Sequence, residues 1–398
     1  MKRTIEEQLK IIKSNCVDLI NEEELIKKLE KSISSKTPLK LKIGLDPTAA
    51  DIHLGHTVIL RKLRKLQDLG HIVYFIIGDF TAKIGDPSGR NTARKILSDK
   101  EIKYNASTYT NQAFKILDKS KTEIIYNSIW YKDMELNDFL SILSYYTVAR
   151  VLERDDFSKR LKENLPLTLL EIIYPLIQGY DSVKIKADIE FGGTDQKFNL
   201  IVGRHLQETF GQEPQVIITM PLLVGLDGKE KMSKSKNNYI GITEEPHSMF
   251  GKIMSISDNL MFEYFRLLTD CDISIIKNMH PKDAKLLLAE TLVSYYHSDD
   301  LAKNAKEEFI KVFSKKELPT EIDSYKVDTN IVNLIDFLAN FKIVSSKNEA
   351  RRLLNQNAIS IIDKDSTLDI KEPTLNIPPS GLILKIGKKK FIKIYSNK

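Results

Sequence analysis

An α/β protein built on a parallel sheet is the fold this chain predicts, and three observations carry that expectation. Two apolar runs, LKLKIGL (Leu39 to Leu45) and IVYFIIG (Ile72 to Gly78), flank a stretch in which Val58, Leu63, Leu66 and Leu69 recur at helical spacing. Strand, helix and strand within about forty residues form a right-handed crossover unit, which sets the two strands parallel. The alternation then returns: ADIEFGGTDQKFNLIVGRHLQETF passes from strand to helix, and QVIITMPLL is a further strand ending at Pro221. The run IVYFIIG shows no polar alternation, as expected of a strand covered on both faces.

Taken in order, residues 1–35 read as two helices, the second opened by Asn21 with Glu24 three positions on, a capping-box pattern. This N-terminal pair (1–36) precedes a Rossmann-like α/β domain expected over 37–240. Within that domain a polar, helical stretch near 95–165 reads as an insertion into the sheet. After Gly241 no strand pattern appears until the tail, and DAKLLLAETLVSYYH and AKEEFIKVF have amphipathic helical periodicity, so a helical domain is expected over 241–325. A polar linker containing Pro319 then leads to a small α+β module, 332–398, with helices around 331–356 and short strands in ISIID and LILKIGKKKFIKI.

Size and composition bound the function. At 398 residues the chain exceeds what one hydrophobic core usually organises. No run approaches the eighteen or so apolar residues of a membrane span, and MKRTIEEQLKIIKSN reads as a charged helix rather than a signal peptide. Cys16 and Cys271 are too few and too separated for a disulfide framework or a zinc site, which suits a reducing, cytoplasmic compartment. The net charge of +6 is unevenly placed: residues 331–398 hold 12 Lys plus Arg against 6 Asp plus Glu, leaving 48 of each before Ile331. A localised basic tail is the footprint expected for a polyanion such as RNA; a lysine-rich surface kept for solubility accounts for it equally well.

Two short motifs carry the chemistry. HLGH (His53 to His56) falls where the first strand hands over to its helix, so both imidazoles lie beside the amides of a helix N-terminus, where phosphate is stabilised. A helix cap or a metal pair would use the same residues. KMSKS (Lys231 to Ser235) offers Lys231 and Lys234 on a glycine-rich polar loop able to close on a ligand; a solvated lysine turn is the plain alternative. Together the motifs suit one nucleoside triphosphate, with imidazole donors on the attacked phosphorus and ammonium groups on the departing pyrophosphate. No activated serine or cysteine nucleophile and no Gly-Lys-Ser/Thr phosphate loop is evident, which favours direct attack by a substrate carboxylate.

The pair resembles the signature of the class I aminoacyl-tRNA synthetases. Three further segments, GDFTAKIGDPSGR (Gly78 to Arg90), YPLIQGYD (Tyr174 to Asp181) and FGGTDQ (Phe191 to Gln196), narrow the likeness to the bacterial tyrosyl-tRNA synthetases. It spans essentially the whole chain, including a region like that family's anticodon-side domain and a tail like its RNA-binding module.

The resemblance implies that Asp181 accepts a hydrogen bond from a tyrosine phenol, and that Asp86, Tyr174 and Gln178 hold the substrate ammonium. Gln196 would orient its carboxylate and Asp195 the ribose hydroxyls. Gly44, Asp46, Gly55, Gly193, Met232 and Ser233 would line the nucleotide with Lys231 and Lys234. Thr48, His53, His56, Arg90 and Arg94 would face the triphosphate. A buried Asp181 left unpaired by phenylalanine is the physical basis of discrimination, roughly 10⁴ to 10⁵ for hydroxyl-reading sites, a magnitude that is this family's own known figure.

Two departures stand out: Lys42 replaces a tyrosine that in many members also contacts the phenol, and Leu54 replaces an isoleucine at similar volume. In the tail, Lys347, Arg351 and Arg352 on one helix and Lys388, Lys389 and Lys390 near a strand are expected to grip RNA phosphates. The implied partners are tyrosine, ATP with its associated Mg²⁺, tRNA(Tyr) and a second copy of the chain, with no metal held by the protein itself. The rivals are the tryptophan enzyme of the same fold, a small-molecule adenylyltransferase, and an RNA-binding protein on an inactive synthetase fold.

Overall fold

The computed structural model describes residues 4–48, 50–88, 97–314, 322–363, 366–387 and 390–396. They fall into two compact units, residues 1–303 and 304–398.

The first unit is organised by a six-stranded sheet. In chain order its elements begin α1 (Ile5–Lys13), β1 (Asp18–Ile20), α2 (Glu22–Ser35), β2 (Lys40–Leu45), α3 (Leu54–Asp68), β3 (Ile72–Ile77), α4 (Thr81–Ile84), α5 (Asp99–Ala113) and β4 (Thr122–Tyr126). There follow α6 (Ser128–Tyr131), α7 (Leu136–Ser144), α8 (Val148–Leu152), α9 (Asp155–Lys162), α10 (Leu169–Ile185), β5 (Ile189–Gly193), α11 (Lys197–Thr209) and β6 (Val216–Met220). The helices α12 (Pro246–Met254), α13 (Asp258–Leu268), α14 (Ile273–Ile276) and α15 (Pro281–Tyr296) come last, and α16 (Asp299–Phe309) begins in this unit and ends in the second.

The strand order is β1-β6-β5-β2-β3-β4, parallel from β6 to β4, with β1 antiparallel at one edge. Residues of β3, β5 and β6 are almost all buried, because helices cover both faces. Helices α10 and α11 approach closely at Gly179 and Gly203, where a Cβ on Gly179 would stand 3.0 Å from the Gly203 backbone.

Two expectations need correction. Residues 1–36 are not helices alone, since β1 lies between α1 and α2 and pairs with β6, Asp18 opposite Thr219. The stretch near 95–165 is not purely a helical insertion, since it supplies β4, the edge strand beside β3. Both strands are short and carry polar residues, so their pairing comes from distant partners rather than from local pattern. The boundary expected at residue 240 falls inside the first unit: the segment after it packs on α3, where Arg61 and Lys65 both pair with Asp270.

In the second unit, β7 (Asp323–Val327), β8 (Ile331–Asn333), α17 (Leu334–Asn340), α18 (Lys347–Asn355), β9 (Ile359–Asp363), β10 (Ser366–Asp369), β11 (Thr374–Asn376), β12 (Leu382–Ile386) and β13 (Lys390–Ser396) follow in order. Five strands form a sheet in the order β10-β9-β12-β13-β7, and β11 pairs with β8. Leu334, Phe337, Leu338, Leu354, Ile359, Leu384, Ile392 and Ile394 form its core. Strands β12 and β13, within LILKIGKKKFIKI, are thus antiparallel neighbours, and β7, parallel to β13, is an addition the sequence pattern did not announce.

Candidate active site

The chain order of the sheet reverses between β2 and β5, so a crevice is expected over their C-terminal ends. These strands pair only at Leu41 with Ile189 and Lys42 with Glu190; beyond that point they part. A cleft of about 1120 Å³ opens there, with Gly44 and Asp46 at the end of β2 and Gly193, Asp195 and Gln196 at the end of β5. Gly78, after β3, leaves room for its neighbours: a Cβ there would displace the Asp46 carboxylate and the Thr81 hydroxyl.

One end of the cleft is cationic. His53 is the N-cap of α3, its Nδ1 accepting from the Gly55 amide at 3.2 Å, while His56 Nδ1 accepts from the His53 amide at 3.2 Å. A neutral imidazole that accepts at Nδ1 carries its proton on Nε2, so each ring keeps an Nε2–H donor. Burial, with the charges of Lys234 and Lys231 nearby, holds His53 well below its usual value and His56 at about 4. The rings are therefore neutral near pH 7, and their centroids lie 3.9 Å apart. Lys231 and Lys234 come to the same end: Lys231 Nζ lies 2.7 Å from Asp195 Oδ2 and Lys234 Nζ 2.7 Å from Asp51 Oδ2. Lys234 also sits over the Tyr239 ring at 5.7 Å.

The other end is enclosed. Asp181, on α10 and buried, accepts from Trp130 Nε1 at 3.0 Å and from Asn127 Nδ2 at 3.3 Å. Desolvation raises its carboxyl to about 7 even though Lys42 and these two donors favour the charged form. Tyr174 donates to Asp46 Oδ2 at 2.9 Å and Thr81 to Asp46 Oδ1 at 2.7 Å. Gln196 donates to Asp86 Oδ2 at 2.8 Å. Lys42 is fully buried and does not reach the cleft: its ammonium pairs with Glu190 Oε1 at 2.7 Å and donates to Ser182 Oγ at 2.7 Å and the Gln178 carbonyl at 3.2 Å.

Gly44, Asp46, Thr48, His53, Gly55, His56, Asp86, Tyr174, Gln178, Asp181, Gly193, Asp195, Gln196, Lys231, Met232, Ser233 and Lys234 all line this one cleft. Arg90 and Arg94 lie outside the described residues, as do Lys388 and Lys389. Sequence reasoning missed Trp130, Asn127, Thr81 and Asp51; an indole or amide on a neighbouring helix carries no motif, and only the fold brings it to the carboxylate. In the second unit Arg351 and Arg352 are exposed on α18, and Lys347 pairs with Asp336 at 2.8 Å. Lys390 is turned inward, its ammonium donating to the Ile343 carbonyl at 2.8 Å, so it ties β13 to the turn after α17.

A sheet with its switch-point cleft, paired imidazoles and two ion-paired lysines defines a class, and comparison with known proteins agrees: the chain belongs to the class I tRNA synthetases (W and Y), whose model matches residues 34–314. Residues 315–394 match the tyrosine–tRNA ligase SYY-like C-terminal domain. The tyrosine–tRNA ligase of Aquifex aeolicus is 50% identical over 398 residues, covering 99% of this chain and 100% of that protein. That of Thermotoga maritima is 49% identical, covering 98% of each. Among solved structures, the tyrosyl-tRNA synthetase of Archaeoglobus fulgidus, complexed with L-tyrosine, shares the fold at TM-score 0.62 and 24% identity, over 76% of this chain and all of that one.

Proposed function

We propose that this chain activates tyrosine with ATP and transfers it to the 3′-terminal adenosine of tRNA(Tyr), releasing AMP and pyrophosphate. The observation that carries the reading is the buried Asp181 carboxylate at the enclosed end of a cleft whose other end holds His53, His56, Lys231 and Lys234. The phenol of tyrosine donates to Asp181; Asp86, Tyr174 and Gln178 surround its ammonium; Gln196 directs its carboxylate at the α-phosphorus. Neutral His53 and His56 donate to the phosphate oxygens as charge builds there. Lys231 and Lys234 leave Asp195 and Asp51 for the departing pyrophosphate, which frees Asp195 for the ribose hydroxyls. Thr48, Arg90 and Arg94 serve the triphosphate, and Mg²⁺ arrives on the nucleotide.

The division of labour we propose assigns chemistry to 37–240, contact near the anticodon to 241–325 and RNA docking to 332–398, with Lys347, Arg351 and Arg352 on phosphates. Helices α7 to α10 expose Leu136, Leu140, Val148, Leu161 and Leu169, an apolar surface that suits a homodimer. Among the described residues no helix is long and apolar enough to cross a membrane, and we place the enzyme in the cytoplasm, where its RNA substrate is.

ATP–pyrophosphate exchange with tyrosine, phenylalanine and tryptophan in parallel tests the reading. Tyrosine alone should support exchange, and in Asp181→Ala its advantage over phenylalanine should collapse. A response to tryptophan instead would reject it. Deleting residues 332–398 should spare exchange and weaken aminoacylation; equal loss of both would reject the assignment of that module to RNA.

A further inference from the structure

The enclosed end of the cleft holds two carboxamides, Gln178 and Gln196, and a carboxamide can turn either its oxygen or its NH₂ toward a ligand. A zwitterionic amino acid needs both kinds of partner: an acceptor for its ammonium and a donor for its carboxylate. Some feature must fix which end each glutamine shows. Asn199, on α11 and buried, sits between them. Its Nδ2 donates to Gln178 Oε1 at 2.9 Å and to Gln196 Oε1 at 3.1 Å, and its Oδ1 accepts from Arg154 Nη1 at 3.1 Å. A guanidinium has no acceptor, so Asn199 cannot turn over without setting NH₂ against N–H. Arg154 is itself clamped: Nε and Nη2 grip Asp156 at 2.6 and 2.8 Å, Nη2 reaches Ser88 Oγ at 2.9 Å, and the guanidinium stacks on Phe157 at 4.6 Å.

We propose that Arg154 and Asn199 are positioning residues that set the polarity of Gln178 and Gln196, and through them the orientation of the amino acid's ammonium and carboxylate. With its oxygen drawn to Asn199, Gln196 points Nε2 at Asp86 Oδ2, and the second hydrogen of that NH₂ is the donor for the substrate carboxylate. Gln178 Oε1 takes one hydrogen from Asn199 and offers its second lone pair to the ammonium, beside Asp86. Neither Arg154 nor Asn199 lines the cleft, so the pair acts only through the glutamines. The inference rests on the amino-acid reading of this end but not on tyrosine, because every amino acid carries the two groups.

The test is ATP–pyrophosphate exchange by the full chain, with whichever amino acid supports it in the wild type. Asn199→Asp keeps the shape and still accepts from Arg154, but it cannot donate, so both glutamines lose their anchor. The amino-acid KM should rise about tenfold, while the ATP KM and the preference between tyrosine and phenylalanine stay within about twofold. Arg154→Lys, still a pure donor, should stay within about threefold of wild type in amino-acid KM; Arg154→Gln, which can present either end, should exceed it. An unchanged amino-acid KM in Asn199→Asp, or an equal rise in ATP KM, would overturn the proposal. Should that variant not fold, equal amino-acid KM values for Arg154→Lys and Arg154→Gln would overturn it in the same way. A wild type that responds to a different amino acid rejects the tyrosine reading and leaves the relay measurable on that substrate; one that responds to none overturns both.

Discussion

The enclosed end of the cleft and its cationic end are built by opposite means. At the first, each polar group is held by another: Asp181 by Trp130 and Asn127, Gln178 and Gln196 by Asn199, and beneath them, outside the cleft, Lys42 by Glu190. At the second, Lys231 and Lys234 are ion-paired with carboxylates from distant segments, and Lys231 is exposed. The difference separates two tasks. Reading a substrate's shape requires groups fixed before it arrives, whereas stabilising charge that appears only in the transition state is served by groups that move onto it.

The largest expected effect lies beneath the enclosed end. Lys42 and Glu190 face each other across β2 and β5 at the last paired position before the strands part, and both are buried. Lys42→Met leaves the Glu190 charge without its ion partner, a loss of about 3–5 kcal/mol. It also removes the strongest influence that lowers the Asp181 carboxyl, so that group should rise above about 7 and the optimum for tyrosine use should move to higher pH. Chemical denaturation and the pH profile of tyrosine KM check the two parts. A variant of wild-type stability would show that the ion pair contributes little to holding this end together.

At the cationic end the signature should be kinetic instead. Lys234→Ala is expected to lower kcat about 10²- to 10³-fold, with tyrosine KM within about threefold and the folding midpoint unchanged, because the role proposed for its ammonium is chiefly on the leaving group. A comparable rise in tyrosine KM would erase the contrast between the two ends.

How much of this was legible beforehand follows the same line. HLGH and KMSKS state their chemistry locally: a histidine at a helix start and lysines among glycines need little context, and the structure brings all four side chains to one cleft. Asp181 was legible as a residue, but its environment was not. Trp130 and Asn127 belong to a helix and turn after β4, itself read as part of an insertion, so their approach depends on a strand pairing of long sequence separation. Lys42 is visible in the sequence as a departure, yet its inward direction is decided by the register of β2 against β5, which no single-strand pattern contains. The three-residue β1 was missed because its pairing partner lies about two hundred residues away, where local propensity carries no information.

The ends should also differ in their response to pH. In the proposed pocket a phenol donates to the Asp181 carboxylate, so tyrosine recognition would need that group ionised, and burial holds it at about 7. Below that value tyrosine KM should rise by up to about tenfold per pH unit, while the KM for ATP, facing imidazoles that stay neutral to well below 6.5, remains flat. Parallel titration of both KM values checks this, and a common pH dependence would mean that one group controls both ends.

The smallest effect separates the fold from the site. His71 is buried, its Nδ1 accepting from the Leu39 amide at 3.2 Å and its Nε2 bonded to Gln8 Oε1 at 2.9 Å, which ties α1 to the start of β2. Burial lowers its pKa to about 4, from 6.5 when exposed. The unfolded chain therefore takes up a proton as pH falls through 6.5 while the folded chain does not, and stability is lost from there down toward 4. Asp181 works in the opposite sense: its raised carboxyl binds a proton in the folded state first, so acidification between about 7 and 3.8 favours the fold. The two linkages partly cancel in the wild type, and a single substitution exposes each. Between about pH 7 and pH 5.5, His71→Gln should lose about 1 kcal/mol less than wild type in denaturant unfolding. Identical pH slopes for the two proteins would show that His71 is protonated alike in the folded and unfolded chains, and that its two hydrogen bonds do not hold it neutral.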